Sequence, residues 1–329
     1  MPRIAELKEG EPVNEVFQLR RKQLSVSKNG NPYLVLRLGN KTGEIEGKMW
    51  EDVGSVEDIE NGDFVRIKGM ITTFHGNKEI NIKELTRIDH DAVDISEFLP
   101  SAERSIEEML SELRNHINSV GNYYLHTLLL SFFEDEEFMS AFKRSPAAKG
   151  MHHVFIGGLL QHTLEVTSLC RDIAEHFDLD RDILITAAIL HDIGKIHEFV
   201  YDTHIDYSTE GRLIGHITLG IEEIDRKINS LPGFPEEKAI LLKHMVLSHH
   251  GYYEFGSPRR PKTVEALVLY YLDDLNAKVS CIKSFMEKEG VKAGGWSSYH
   301  KILERYLYRT QRTDDREQTA EERAEVDDS

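Results

Sequence analysis

The chain has 329 residues, 40% hydrophobic and 29% charged, which suits two globular domains better than one. It contains no apolar run of 18 residues or more, so no membrane-spanning helix is expected. The net charge of −17 would argue against a nucleic-acid partner if it were evenly spread, but residues 1–95 hold 14 Lys/Arg against 17 Asp/Glu. The acid surplus lies further on, partly in the tail QRTDDREQTAEERAEVDDS. The opening MPRIAELKEGEPV lacks the apolar stretch of a secretory signal. The two cysteines, Cys170 and Cys281, are far apart and outside any metal-like spacing. Both features point to a reducing cytoplasm without disulfides.

Residues 13–90 read as five short strands. VFQLRRKQLSVS and PYLVLRLGN alternate roughly between apolar and polar and are joined by KNGNP, a turn signal. EIEGKMW follows the turn NKTG. FVRIKGMITTF, the turn HGNK and EINIKELTRI complete the set, which predicts a small barrel or sandwich over residues 1–95. Pro100 and Ser101 mark the start of a helix, and SIEEMLSELRNHINSV has helical spacing. Residues 96–150 are expected to be a helical linker region. YYLHTLLLSFFEDEEFMSAF makes one or two helices whose apolar stretch would serve a core or a contact between copies in a homo-oligomer. GGLLQHTLEVTSLCRDIAEHF and RDILITAAILHDIG follow, the second with Gly194 as its C-terminal stop. Further helices are expected over 217–230, 235–249, 262–288 and 297–310, within a helical domain over 151–290 and a C-terminal helix plus tail over 291–329. The tail from about 311 is polar, acidic and expected to be disordered.

Several histidines close apolar helical runs: His162 in LLQHT, His191 in ILHD, His216 in IGHIT, and His249 and His250 in LSHHG. Asp192 follows His191 directly, where a carboxylate faces the negative end of the helix dipole. If buried, its charge is costly unless paired, and a bound cation removes both penalties. A neutral imidazole beside it is a good second ligand for a first-row transition metal. A lone His-Asp pair is usually structural. Recurrence on successive helices, through to Asp273 or Asp274 in YYLDDLNAK, changes the balance, because a helix bundle can gather such residues in its core. Lys195 suits a phosphate contact or a helix-dipole partner equally well. Arg259 and Arg260 in GSPRRPKT suit a phosphate clamp or plain surface. His153, shortly before His162, is a candidate substrate contact.

The order HHVFIGGLLQHTLEV, AAILHDIGK, LSHHG and EALVLYYLDDLNAKV resembles the HD superfamily of metal-dependent phosphohydrolases over roughly residues 145–285. The resemblance implies an all-α bundle in which His162, His191, Asp192 and Asp273 hold one divalent ion. Asp192 then bridges to a second ion held by His216 and one or both of His249 and His250. Where family members often carry Asp-x-Leu-Asp, this chain has Asp273-Asp274-Leu275-Asn276. Imidazole-rich ligation favours Mn, Fe, Co or Zn over a purely oxygen-bound Mg.

KNGNPYLVLRLGNKTGEIEGKMW followed by ENGDFVRIKGMITTFHGNKEINI resembles an OB-fold. Such a barrel would stack bases on aromatics and track phosphates with cations. The candidates are Tyr33, Trp50 and Phe74, with Arg37, Lys48 and Arg66, although Tyr33 and Trp50 suit a core as well. An OB-fold followed by an HD domain is similar to the YhaM-type 3′→5′ exoribonucleases of Gram-positive bacteria over about residues 5–310. That implies a multidomain protein, an all-β OB barrel and then an all-α HD bundle. The implied enzyme is a manganese- or cobalt-dependent hydrolase with Asp192 and Lys195 at the chemistry, acting on single-stranded RNA and, as a second candidate, single-stranded DNA. The alternatives are an HD phosphohydrolase of nucleotides or cyclic dinucleotides and a non-catalytic DNA-binding factor.

Overall fold

The computed structural model describes residues 3–27, 29–56, 58–74, 76–89, 92–93, 97–98, 104–148, 155–200 and 205–311. Five strands, β1 (Pro12–Val26), β2 (Pro32–Asn40), β3 (Gly43–Met49), β4 (Phe64–Phe74) and β5 (Asn77–Ile88), close into a barrel in the order β1-β2-β3-β5-β4. All pairings are antiparallel except β3 with β5, and β4 returns to β1. That is the five-stranded Greek-key barrel expected of an OB-fold. The alternation in sequence sets which face turns inward: Leu34, Leu36 and Leu38 on β2 are buried, while Arg37 between them is exposed. These leucines join Phe17, Leu19, Ile67, Ile71 and Ile80 in a core of the barrel's own.

The helices are α1 (Ile106–Asn118), α2 (Tyr123–Phe133), α3 (Glu136–Phe142), α4 (Gly158–Phe177) and α5 (Arg181–Leu190), followed by the one-turn α6 (Lys195–Glu198). After a two-stranded ribbon, β6 (Phe199–Val200) with β7 (Asp206–Tyr207), come α7 (Thr209–Leu213), α8 (His216–Asn229), α9 (Glu236–Ser248) and α10 (Val264–Lys288). α5 is apolar all round and lies at the centre. Every residue from Ile183 to Leu190 is buried, and the Asp180 side chain caps its start by accepting from the Ile183 amide at 3.2 Å. Four structural findings differ from the sequence expectation.

The first concerns residues 96–150. α1–α3 are not a linker: Met109, Leu113, Leu125, Leu129, Phe132 and Phe142 share one apolar core with α4, α5, α8, α9 and α10. The apolar stretch of α2 therefore goes to this core, leaving Tyr123 exposed. The second concerns the start of α1, which is capped by Ser105, whose side chain accepts from the Glu108 amide. Pro100 and Ser101 lie outside the described residues.

The third is Gly194, which is not a left-handed helix stop. Its φ is −64° and it precedes α6. It is needed for close approach, since a Cβ there would sit 2.0 Å from the His216 carbonyl oxygen and 2.5 Å from the Gly220 nitrogen. The fourth is residues 297–310, which form no helix. They fold into a bridged turn, with Trp296 opposite Tyr308 and His300 opposite Arg305, and Glu304 at φ +51°. Cross-turn ring pairs hold it, Trp296–Tyr308 at 5.1 Å and Tyr299–Tyr306 at 5.3 Å, while buried His300 packs on Phe285 at 4.5 Å. Aromatic pairing and docking outweigh the weak helix preference of this stretch, SSYHKILERYLYRT, with its two serines and three tyrosines. The tail expected to be disordered lies, from residue 312, outside the described residues.

Candidate metal centre

Five helical elements aim their ligand-type residues at one point. His162 projects from α4 and Asp273 from the middle of α10. His191 caps the end of α5 and Asp192 follows it. His216 opens α8, and His249 and His250 follow α9. His162, His191, Asp192 and His249 are each at most 2% exposed.

The ligand atoms fall into two groups, His162, His191 and Asp273 in one, and His216, His249 and His250 in the other. Asp192 stands between them. Its Oδ2 faces His191 Nε2 at 3.2 Å and His162 Nε2 at 3.4 Å. Its Oδ1 faces His216 Nε2 at 3.5 Å and His249 Nε2 at 3.6 Å. Asp273 Oδ1 completes the first group, 3.1 Å from His162 Nε2 and 3.8 Å from His191 Nε2. Asp274 instead pairs with Lys278 at 2.6 Å.

The histidines are pre-set as ligands. Each Nδ1 meets an oxygen: His191 that of Ala188 (2.7 Å), His249 that of Val246 (2.7 Å) and His250 that of Phe255 (3.0 Å). His216 Nδ1 meets Glu198 Oε1 (2.9 Å) and His162 Nδ1 meets Asn276 Oδ1 (3.0 Å). A carbonyl or carboxylate oxygen accepts only, so Nδ1 carries a proton and each ring turns its Nε2 toward the centre, free to bind an ion wherever that nitrogen is unprotonated. Glu198, and Asn276 with the Glu165 that takes its amide proton at 2.8 Å, are functional residues that motif reading missed. Their one local signal is spacing: Glu165 lies three residues after His162, and Asn276 three after Asp273.

Whether these residues fit divalent ions is tested by the atoms left over. Asp192 Oδ1, His216 Nε2 and His249 Nε2 are buried without a hydrogen-bond partner, and they converge. His162 Nε2 and His191 Nε2 lie 3.2 Å apart, a contact that needs a proton or a cation between them. Metal–ligand bonds of roughly 2.0–2.2 Å put neighbouring ligand atoms roughly 3.0–3.6 Å apart, close to the spacings observed. The set fits divalent-metal binding with mixed imidazole and carboxylate ligation.

Electrostatics in the ion-free centre follow from burial and neighbours. Burial pulls His162 down, but the carboxylates of Asp192 and Asp273 outweigh it and raise it to about 9. Burial, with His249 and His216 alongside, pushes His250 down to about 3, a neutral ligand. Asp192 is held well below the usual carboxylate range, burial being outweighed by Lys195 and the surrounding imidazoles. Lys195 is buried and donates to Asp192 Oδ2 at 2.6 Å, so it stands in the centre at the head of α6 instead of at a helix C-terminus.

The other expected contacts are partly gathered. Tyr33 and Trp50 stack at 4.3 Å with Trp50 48% exposed, so this pair is not barrel core. Lys48 lies 4.5 Å over the exposed Phe74 ring. Lys48 also pairs with Glu79 at 2.5 Å, and Arg37 with Glu44 at 3.1 Å, so the cations of this face are partly neutralised. Arg66 is exposed on β4. Arg259 and Arg260 are exposed after α9, with Arg260 on the Tyr252 ring at 4.8 Å. His153 lies outside the described residues.

Comparison with known proteins places the chain in a family. The HD domain family matches residues 159–278. The chain is 34% identical over 302 residues to the 3′-5′ exoribonuclease YhaM of Geobacillus sp., spanning 90% of each chain. It is 30% identical over 291 residues to the YhaM exoribonuclease of Bacillus subtilis, spanning 88% of this chain and 91% of that one. Among solved structures, the second OB-fold domain of replication protein A from Methanococcus maripaludis is similar at 22% identity and a TM-score of 0.23, covering 26% of this chain and 92% of that one. With 34% identity to one such enzyme across nine-tenths of its length, the chain belongs to the YhaM family of 3′-5′ exoribonucleases.

Proposed function

We propose that this protein is a two-metal 3′→5′ exoribonuclease that shortens single-stranded RNA, with single-stranded DNA as a second substrate. The reading is carried by Asp192, whose two oxygens face two separate imidazole groups. His162, His191 and Asp273 would hold one ion and His216, His249 and His250 the other, with Asp192 between the two groups available to both. The imidazole-rich donor set suits manganese, cobalt, iron or zinc better than magnesium, and the exoribonuclease resemblance favours manganese or cobalt among them. When bound, such ions polarise a phosphoryl oxygen and lower the pKa of water for in-line attack.

The chain's own groups do the remaining work. Lys195 lines the cavity over the centre and offers an ammonium to a non-bridging phosphate oxygen. Asn276 and Glu198 fix the rings of His162 and His216. Arg259 and Arg260 face solvent after the histidine pair and suit the next phosphates. On the barrel, the Tyr33–Trp50 stack and the Lys48–Phe74 pair present π faces that hold a strand with little sequence preference.

End-labelled RNA and DNA, supplied with Mn, Co, Mg or Zn in turn, test the reading. A ladder of products shortened from the 3′ end is expected with Mn or Co. Turnover of free nucleotides alone, with polymers untouched, would overturn it.

A further inference from the structure

The cavity over the metal centre is about 220 Å³, floored by ligand side chains and walled by Phe255, Tyr270, Asp274 and Ala277. It is smaller than the roughly 300–1,000 Å³ pockets that enclose a whole organic ligand. A sugar-phosphate at the ions would therefore leave its base at the rim. Of the two aromatic rings in that wall, Tyr270 is 7% exposed and Phe255 is 61% exposed.

Phe255 is also held firmly. It ends the short 3-10 turn Tyr253–Phe255, closed by Gly256 at φ +82°. Its amide donates to the Tyr252 carbonyl at 3.1 Å, and its own carbonyl accepts from His250 Nδ1 at 3.0 Å. A metal ligand and the ring are thereby tied through one backbone unit. Tyr252 braces the ring edge-on at 6.0 Å and in turn meets Tyr270 at 5.8 Å. Gly251, at φ +74°, lets the turn press against Tyr270, since a Cβ there would lie 2.4 Å from that ring. An apolar ring left in water beside a phosphate-binding centre, and fixed in place before any ligand arrives, is preorganised for stacking.

We propose that Phe255 is the platform on which the 3′-terminal base of the strand stacks while its phosphodiester lies over the metal centre. The site takes the nucleoside end of a single strand. It accepts every base, because each has a π face, and excludes a duplex end, whose terminal base is paired and stacked. The assignment rests on the nuclease reading given above. Phe255 positions substrate and is not itself an ion ligand, since its side chain has no donor atom.

The test uses the manganese-loaded full chain and two probes, adenosine 5′-monophosphate and ribose 5-phosphate, with binding measured by calorimetry. Phe255→Ala is expected to weaken adenosine monophosphate about tenfold and to leave ribose 5-phosphate unchanged. Phe255→Trp is expected to restore adenosine monophosphate binding, and metal content by elemental analysis is expected to match wild type in both variants. Equal weakening of both probes, loss of metal, or a change in assembly mass that assigns the ring to a contact between copies would each overturn the proposal. Wild-type hydrolysis of a labelled oligoribonucleotide, run in parallel, tests the nuclease reading separately. A product ladder together with unaltered discrimination between the probes in Phe255→Ala overturns the Phe255 assignment alone.

Discussion

At the scale of single residues, Asp192 decides the centre. Its burial and the orphaned Oδ1 are what the proposed bridging role requires. Asp192→Ala is expected to abolish hydrolysis while leaving strand binding largely intact, and retained turnover would show that the bridging assignment is wrong. Glu198→Gln is expected to weaken metal binding about 10- to 100-fold, read by chelator competition, because His216 loses its charged partner. His162 supplies a pH dependence. In the ion-free protein its pKa is raised to about 9, above an unfolded value of about 6.5. Its stabilisation is therefore fully present below pH 6.5 and is lost as pH rises through 9. The melting temperature of chelator-treated protein is expected to fall across that window, with a ceiling on the order of 3 kcal/mol, and His162→Gln is expected to flatten the slope. Metal uptake at pH 7–8 is expected to release about one proton per chain, measured by calorimetry in buffers of different ionisation enthalpy.

At the scale of elements, the helix before the HD pair shows where local reading succeeds and fails. RDILITAAIL is apolar on every side, and that pattern alone implies a central helix. Gly194 just after it has the sequence context of a helix stop, yet its φ is negative and its role is to let α6 touch α8. No local pattern carries that information, because the neighbour at His216 is 22 residues away. Gly194→Ala is expected to cost about 3 kcal/mol by overpacking against backbone. It should lower the melting temperature and displace His216 enough to reduce metal content; unchanged values for both would show that the approach relaxes freely. The bridged turn over 297–310 is the converse case, a stretch with helix-compatible composition whose rings find partners across a turn and on Phe285.

At the scale of the whole molecule, the barrel and the bundle have separate apolar cores, so each has its own source of stability. Deleting residues 1–95 is expected to weaken binding to long single strands more than it slows cleavage of a dinucleotide. Equal loss on both would mean that the barrel serves folding or assembly. Because Lys48 and Arg37 are paired with carboxylates and the chain carries −17 overall, strand affinity is expected to rest on stacking. The slope of log K against log salt is then no steeper than about −2, equivalent to about three phosphates. A much steeper slope would point to a basic track elsewhere.

What the sequence determined by itself is the part of the protein written in short-range pattern. Period-two alternation and Gly/Asn turns specified five strands, helical spacing specified α4, α5 and α8–α10, and the recurring His and Asp residues on successive helices named the ligand-type residues that gather around Asp192. The tertiary structure alone decided matters of convergence. It put Asp273 rather than Asp274 at the centre, brought in both His249 and His250, and turned Lys195 toward Asp192. It also placed Glu198 and Asn276 behind two imidazoles. A hydrogen bond is fixed by direction and by fractions of an ångström between elements far apart in the chain, and residue type and spacing do not encode those distances.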